Sequence, residues 1–577
     1  MASKSFSLSH LCSKQTTFLI FLLVSITLAL FVLSVKPKRV PNITITLQVD
    51  KRKPAWFDVI EKNFDNRRIM VGLVNIDTTR MDANLYEQLD ELHPQVESLS
   101  IDFDHVDENL KWKDFFPVWI DEDEKWGKPK CKDLPMPTWE DYRDVNVVVA
   151  RVPCGKGSGM EGVRDVFRLQ VNLVVANLAV ESGRVMKLDA YEPVYVVFIG
   201  SCGPMVDIFK CDDLLFHQLG EYWVYKPDLR SLRQKMLMPV GSCQIAPGYA
   251  ETGKEVWRAY ISQSPATLKY NYTMRVLRLA YVTVLHSSEA YVCGAITLAQ
   301  SILQTEKSIL QYNNNYTRDL LLLADESIGP KSIRGLKASG WKIKRIQRIL
   351  NPFAKKGSYN EWNYSKLRIW QLTMYDKIIF LDSDLLVLKN IDAFFAYPQL
   401  SASPNDFTLF NSGLMVIEPS LCMFENSMQK TLKVKPYNGG DQGLVNEIFT
   451  WWHRLPRKLN YLKSFQQGKG NDEKHEIPED LYVIHYLGLK PWMCYRDYDC
   501  NWDMKELHVF ASDLAHKMWW KVYHNMPKEL QSYCGLIKKM DERIKQRRRR
   551  ARNASLCDGH WKIVVKDPRR KHYEDLD

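Results

Sequence analysis

Tyr375-Asp376-Lys377-Ile378-Ile379-Phe380-Leu381-Asp382-Ser383-Asp384 is an apolar strand that runs straight into two carboxylates separated by one residue. Carboxylates at the end of a buried strand are costly unless paired or metal-bound. A divalent cation takes hard oxygen ligands, and a nucleotide diphosphate needs such a cation to neutralise its charge. Asp-x-Asp alone is a short match that an exposed acidic turn also provides, so its surroundings decide the reading.

Those surroundings are an alternation of strands and helices. Tyr281–Leu285 reads as a strand, Glu289–Leu303 as a helix and Asp319–Ala324 as a strand. A helix near Lys331–Ser339, a strand at Trp341–Ile346 and a helix around Tyr364–Met374 follow before Lys377–Leu381. Continuous apolar strands alternating with helices predict a mostly parallel α/β sheet covered on both faces. Ligands bind such sheets beyond the carboxyl ends of the strands.

Three further elements follow the acidic pair. Leu409-Phe410-Asn411-Ser412-Gly413-Leu414-Met415-Val416 places an amide and a hydroxyl in a turn between apolar residues; alone it fits a hairpin. Tyr437-Asn438-Gly439-Gly440-Asp441-Gln442-Gly443 puts a carboxylate and an amide among glycines that permit close backbone approach. In Val483-Ile484-His485-Tyr486-Leu487-Gly488-Leu489-Lys490-Pro491-Trp492, a histidine leaves an apolar strand and is a third metal-ligand candidate. Gly488, Leu489 and Lys490 suit a diphosphate. A lone histidine there equally fits a satisfied core residue.

The order and spacing of these four elements, from Val276 to Trp492, resemble glycosyltransferase family 8, the glycogenin-like retaining enzymes with a GT-A fold. The resemblance implies that Asp382, Asp384 and His485 bind Mn²⁺, with Ser383 between the acids. It implies that Leu285, Ser287, Ser288 and Tyr291 line the uridine site and that Lys366 reaches the donor. Asn411, Ser412, Gly413, Asn438, Gly439, Gly440, Asp441 and Gln442 match positions around the transferred sugar, and Gly488, Leu489 and Lys490 the diphosphate grip. Lys366, Asp441 and Gln442 are the catalytic candidates. Two departures stand out: Asn438 replaces the aspartate of glycogenin-type members, and the His485-to-Lys490 segment is one residue shorter. Both point to a different sugar or acceptor. Gly340–Ile346, Asn351-Pro352-Phe353 and Tyr359–Lys366 resemble the plant xylan α-glucuronosyltransferase group, which implies UDP-glucuronate as donor and xylan as acceptor in cell-wall synthesis. A glucosyl- or galacturonosyltransferase for another wall glycan, and a non-catalytic partner of an active transferase, are the alternatives. A uronate donor also requires a cation for its own carboxylate; Arg454, Arg457 and Lys458 follow the Asp441 loop, although each also fits a solvated basic turn.

The remaining chain bears on placement. Thr16–Val35 is an uncharged apolar stretch of about twenty residues, enough to span roughly 30 Å of hydrocarbon and longer than a signal-peptide core. The expected plan is residues 1–15 as a cytosolic tail, 16–35 as an anchor and 36–54 as a stem. Residues 55–265 form a first α/β unit, 276–530 the catalytic domain and 531–577 a basic tail. Sequons at Asn42, Asn271, Asn315, Asn363 and Asn553 favour a lumenal body, and with the resemblance imply a type II Golgi membrane protein. Asn363 is expected to be unmodified because it lies beside Lys366. In the first unit, Val145–Ala150 and Val194–Gly200 read as strands around a helix at Val166–Val180. The net charge of +11 is concentrated in Lys36–Lys53 and in Arg543–Arg552, the latter expected to be a solvated stretch. No zinc-finger or RNA-binding spacing accompanies it, which excludes a nucleic-acid reading. The partners implied are a UDP-sugar, a polysaccharide, a membrane and, as an open question, other wall-synthesis enzymes. Of the twelve cysteines, Cys494 with Cys500 and Cys534 with Cys557 are the first pairs to consider. The many tryptophans are read chiefly as core filling.

Overall fold

Val147–Arg151, a run of valines with no outward polar face, pairs on both sides with parallel strands, as full burial requires. The computed structural model describes residues 53–571 apart from 65–66, 78–82, 93–94, 118, 124, 128, 143, 155–163, 186–189, 247–276, 307–317, 466–474 and 557–558. Its first sheet contains β1 (Ile69–Val74), β2 (Val96–Ile101) and β3 (Val147–Arg151). After helix α1 (Val166–Gly183) come β4 (Tyr195–Ile199), β5 (Leu214–Gln218) and β6 (Tyr222–Tyr225), then helix α2 (Leu229–Met236). The strand order is β2-β1-β3-β4-β6-β5, parallel from β2 to β4 and antiparallel beyond. Asp165 caps α1 by accepting from the Arg168 amide at 2.8 Å.

The second sheet repeats this plan. It comprises β7 (Leu279–Leu285), then helix α3 (Val292–Glu306), β8 (Arg318–Ala324), α4 (Pro330–Ala338), β9 (Lys342–Arg345) and β10 (Lys377–Leu381). A short β11 (Leu385–Val387) precedes β12 (Ser401–Pro404), β13 (Phe410–Ile417), helix α5 (Asp441–Ile448) and β14 (His453–Arg454). The order is β9-β8-β7-β10-β13-β12-β14, with β9 to β10 parallel and β13 antiparallel to both of its neighbours. A small sheet joins β11 to β15 (Tyr461–Leu462) through β16 (Val483–His485).

Trp56–Asp577 forms one compact unit, and one apolar core draws residues from both large sheets, including Val148, Phe198, Phe380 and Trp452. Cys211–Cys422 crosses between them, as do Arg164–Glu447 and Arg454–Glu122. Trp341, Trp370, Trp451, Trp452 and Trp519 are among the largest fully buried side chains.

Three expectations require correction. The Arg543–Arg552 run is solvated on most of its basic side chains but is not a loose stretch: it lies in helix α7 (Lys538–Asn553), which follows α6 (Asp513–Asn525) and buries Asp541, Ile544 and Ala551 along one side. The segment near Tyr364–Met374 winds as a 3₁₀ helix over Tyr364–Gln371, closed by bonds such as Lys366 N–H to Asn363 O. Cys534 pairs with Cys293, 241 residues away, whereas Cys494 does pair with Cys500. Cys557 lies outside the described residues, as does Thr16–Val35. Among the described residues, no helix is long and apolar enough to cross a membrane.

Candidate active site

β10 delivers Asp382 to the carboxyl edge of the second sheet, where its amide bonds Gly413 O on β13 at 2.8 Å. The chain turns at once into β11, and Leu385 pairs with His485 on β16. This register sets the imidazole beside the acids: His485 Nε2 is 3.4 Å from Asp384 Oδ1. One ligand atom each from Asp382, Asp384 and His485 lie within 4.8 Å of one another. No other such group of three occurs among the described residues. Two carboxylates and an imidazole are a donor set suited to a divalent transition metal.

The site also carries lysines. Lys366 Nζ lies 3.2 Å from Asp382 Oδ1 and 2.5 Å from Asp441 Oδ2, and Lys490 Nζ lies 2.7 Å from Asp384 Oδ2. Burial disfavours the charge on Lys366, but Asp382 and Asp441 outweigh it and push its pKa up. Burial likewise opposes ionisation of Asp384, yet Lys490 and His485 hold its carboxyl below the usual range. Asp382 moves the other way: burial raises its pKa, Lys366 opposes, and Asp384 and Asp441 add repulsion. Three carboxylates thus face two lysines. That surplus of negative charge is what a bound cation would relieve.

Asp441 opens α5 and accepts from three donors: Lys366, Ser412 Oγ at 3.1 Å and Asn363 Nδ2 at 3.1 Å. The 3₁₀ winding explains two of them, since residues three apart stack in line and bring Asn363 and Lys366 to the same carboxylate. A cavity of about 640 Å³ opens over the group.

The model for glycosyl transferase family 8 matches residues 282–401 and 397–494, and that for the GUX1-5 N-terminal domain matches residues 46–243. The chain is 50% identical over 567 residues to "Putative UDP-glucuronate:xylan alpha-glucuronosyltransferase 4" of Arabidopsis thaliana, covering 97% of this chain and 98% of that one. It belongs to glycosyltransferase family 8. "UDP-glucuronate:xylan alpha-glucuronosyltransferase 2" of the same plant is 49% identical over 484 residues, 82% of the transferase and 78% of the relative. "Glycogenin-2" of Homo sapiens is 29% identical over 298 residues, 48% and 56% of the two chains.

Within the transferase, Leu285, Ser287, Ser288, Tyr291, Lys366, Asp382, Ser383 and Asp384 line the cavity, as do Ser412, Asn438, Gly440, Asp441 and Gln442. Asn411, Gly413, Gly439, His485, Gly488, Leu489 and Lys490 do not line it, although His485 and Lys490 contact Asp384 from behind. Asn411 is buried behind the site and accepts from Asn460, whose own Oδ1 lies 3.2 Å from His485 Nδ1 and orients the ring. Gly413 leaves room for that ring: a Cβ there would lie 2.5 Å from His485 Cε1. Gly488 takes a left-handed φ of 71°, and the Leu489 amide is taken by Asn501 at 2.8 Å. Asn438 holds its own loop, accepting from the amides of Gly440 and Gly443 at 3.0 Å each. Gln442 accepts from the Ser412 amide at 3.2 Å and donates to Tyr437 Oη at 2.7 Å.

The three cations considered for a uronate are engaged elsewhere. Arg454 is buried against Glu122, Arg457 faces the same carboxylate, and Lys458 pairs with Asp480. The cavity instead contains Arg348, whose Nε lies 3.1 Å from Asp325 Oδ2 and whose guanidinium lies 4.5 Å over the Trp362 ring. His286, Tyr359, Asn360 and Asn363 also line it without having been assigned a role. Tyr359, Asn360 and Asn363 belong to the Tyr359–Lys366 stretch that carries the family likeness, and His286 sits between Leu285 and Ser287 of the expected uridine site. Asn363, the sequon beside Lys366, is buried and its amide nitrogen is committed to Asn360 and Asp441.

Proposed function

We propose that this family 8 enzyme moves glucuronate from UDP-glucuronate to the xylan backbone with retention of anomeric configuration, on a GT-A catalytic domain. The body is lumenal, held in the Golgi membrane by Thr16–Val35. The observation that carries the chemistry is the convergence of Asp382, Asp384 and His485 beside the Lys366–Asp441 pair, with the three carboxylates and Lys366 lining one cavity. The names of relatives that align over most of the chain support the donor and acceptor.

Mn²⁺ held by Asp382, Asp384 and His485 would supply Lewis-acid neutralisation of the departing diphosphate. Lys490 and Lys366 add fixed positive charge where negative charge develops. Asp441 shares its two oxygens among three donors, which lowers its nucleophilicity. It therefore stabilises an oxocarbenium-like state, and attack by the acceptor proceeds on the face the leaving diphosphate vacates. Arg348, the arginine of the cavity lining, faces Asp325 through Nε and would offer its remaining N–H groups to the uronate carboxylate.

The test is transfer from labelled UDP-glucuronate to xylo-oligosaccharides by the full-length protein with Mn²⁺, with Asp382→Ala as control. Arg348→Gln is expected to lower kcat/KM for UDP-glucuronate about tenfold more than for UDP-glucose. Preferential transfer of glucose or galacturonate by the unaltered enzyme overturns the donor assignment, and absence of any UDP-sugar turnover overturns the enzyme reading.

A further inference from the structure

A second cavity, of about 700 Å³, lies along α7. Its charged lining is all of one sign: Lys545, Arg548, Arg549, Arg552 and Lys562 contribute, with no carboxylate among the lining residues. Tyr495, Trp561 and a strip of aliphatic residues from Ile563 to Val565 form the remaining wall. Lys545, Arg549 and Arg552 are exposed side chains, and a helical turn advances about 5 Å, the scale of one sugar ring.

Arg548 is fixed in this cavity. Its Nη2 donates to Trp561 O and Ile563 O at 2.7 Å each, and its guanidinium lies 5.3 Å over the Tyr498 ring. Its Nη1 is buried without a hydrogen-bond partner. Arg548 thus braces the wall, and the exposed guanidiniums of Arg549 and Arg552 are the groups an acidic ligand can reach. Forked cations beside an indole face match a ligand with carboxylates and ring faces: arginine takes a carboxylate bidentately, and tryptophan stacks on a pyranose.

We propose that α7 and Trp561 form a second carbohydrate site, which holds a uronate-bearing stretch of polysaccharide away from the transfer centre. The identity of that stretch as the enzyme's own decorated product rests on the function proposed above. The two sites are linked through side-chain packing. Ile563, Val565 and Leu489 all pack against a small core that includes Cys494 and Tyr495, and the residue after Leu489, Lys490, reaches Asp384. A bound acidic group would thereby bias where on the chain the next transfer occurs.

Titration calorimetry on the full-length protein without nucleotide sugar tests this, using xylo-oligosaccharides with and without glucuronate side groups. The decorated oligomer is expected to bind about tenfold more tightly at low salt, with the advantage lost at high salt as screening predicts. Arg549→Gln combined with Arg552→Gln is expected to abolish the advantage and leave binding of the neutral oligomer unchanged. Trp561→Ala is expected to weaken it separately. Equal affinity for the two oligomers, or an advantage that survives the double variant, overturns the proposal. So does loss of binding to phosphatidylserine vesicles in that variant without any glycan preference, which would make the cavity a lipid site. Transfer to a short neutral acceptor reports the catalytic reading independently. Its failure alongside an Arg549- and Arg552-dependent preference would leave the second site standing and remove only the donor assignment.

Discussion

The two large sheets share a plan, four parallel strands continued by an antiparallel pair, to which the second sheet adds β14, yet they differ at the carboxyl edge where an α/β sheet does its chemistry. In the second sheet β10 ends in Asp382 and Asp384. In the first, β1 ends at Asn75, whose Nδ2 donates to Arg151 O at 2.7 Å, and the ends of β3 and β4 are joined by Cys154–Cys202. Arg168 closes the same edge by donating to Pro153 O at 2.9 Å and Gly203 O at 2.7 Å. One edge is tied by hydrogen bonds to its own backbone carbonyls and by a disulfide, while the other carries acids and lysines poised for a ligand. The architecture is common to both, so the activity resides in the residues at the strand ends.

If so, the largest effect comes from removing charge at the second edge. Asp384→Ala is expected to lower transfer at least about a thousandfold, about 4 kcal/mol at the barrier, with folding retained. Mn²⁺ titration of activity should show no recovery at accessible concentrations. A variant within tenfold of the parent would remove the distinction between the edges.

The converse change belongs to the first edge. Cys154→Ser with Cys202→Ser opens a link of sequence separation 48 and is expected to cost about 3 kcal/mol of stability. Transfer by the folded protein should stay within about twofold, so denaturant unfolding and kcat measured side by side separate the two roles. A fall in kcat comparable with that of Asp384→Ala would mean that the first edge takes part in the reaction.

Lys366→Met sharpens the comparison within the acidic edge. Asp382 and Asp441 lose the ammonium between them, and kcat is expected to fall about a hundredfold, the scale of losing one stabilising donor. Because Lys366 lies in a buried 3₁₀ segment, circular dichroism should be checked alongside. An unchanged kcat with raised KM would assign it to donor binding alone.

How much of this was legible in the chain depended on sequence distance. Lys377–Leu381 and the acids after it are contiguous and apolar-to-acidic, so strand and site read together. Cys494–Cys500, only 6 apart, was readable, whereas Cys293–Cys534 was not. Asn363 meets Asp441 across 78 residues, and Asn460 meets His485 across 25. Such contacts follow from the packing of loops rather than from any local pattern. In α7 the density of arginines masked a sparse buried stripe, Asp541, Ile544 and Ala551, three to seven residues apart. The two edges, similar in topology, could be told apart in the sequence only by the motif on one of them.

The smallest effect concerns where the two regions meet. His453 on β14 is 1% exposed; burial, with Lys235 of α2 adding repulsion, lowers its pKa to about 3. The imidazole is therefore neutral in the fold and titrates near 6.5 when unfolded. Its contribution is fully present above pH 6.5 and is lost as pH falls toward 3, reaching about 2 kcal/mol at pH 5. Asp207 acts in the opposite sense: burial raises it to about 7, outweighing Lys430 and Lys235, so its contribution is present below 3.8 and lost as pH rises through 7. Total stability of the parent mixes the two, and only a difference isolates the histidine. His453→Phe keeps the ring against Trp451 and removes the titration. Relative to the parent, the variant should gain about 2 kcal/mol between pH 7.5 and pH 5 in chemical unfolding. An unchanged difference across that range would mean that the imidazole meets water in the fold, and that the junction between the sheets is looser than one shared core implies.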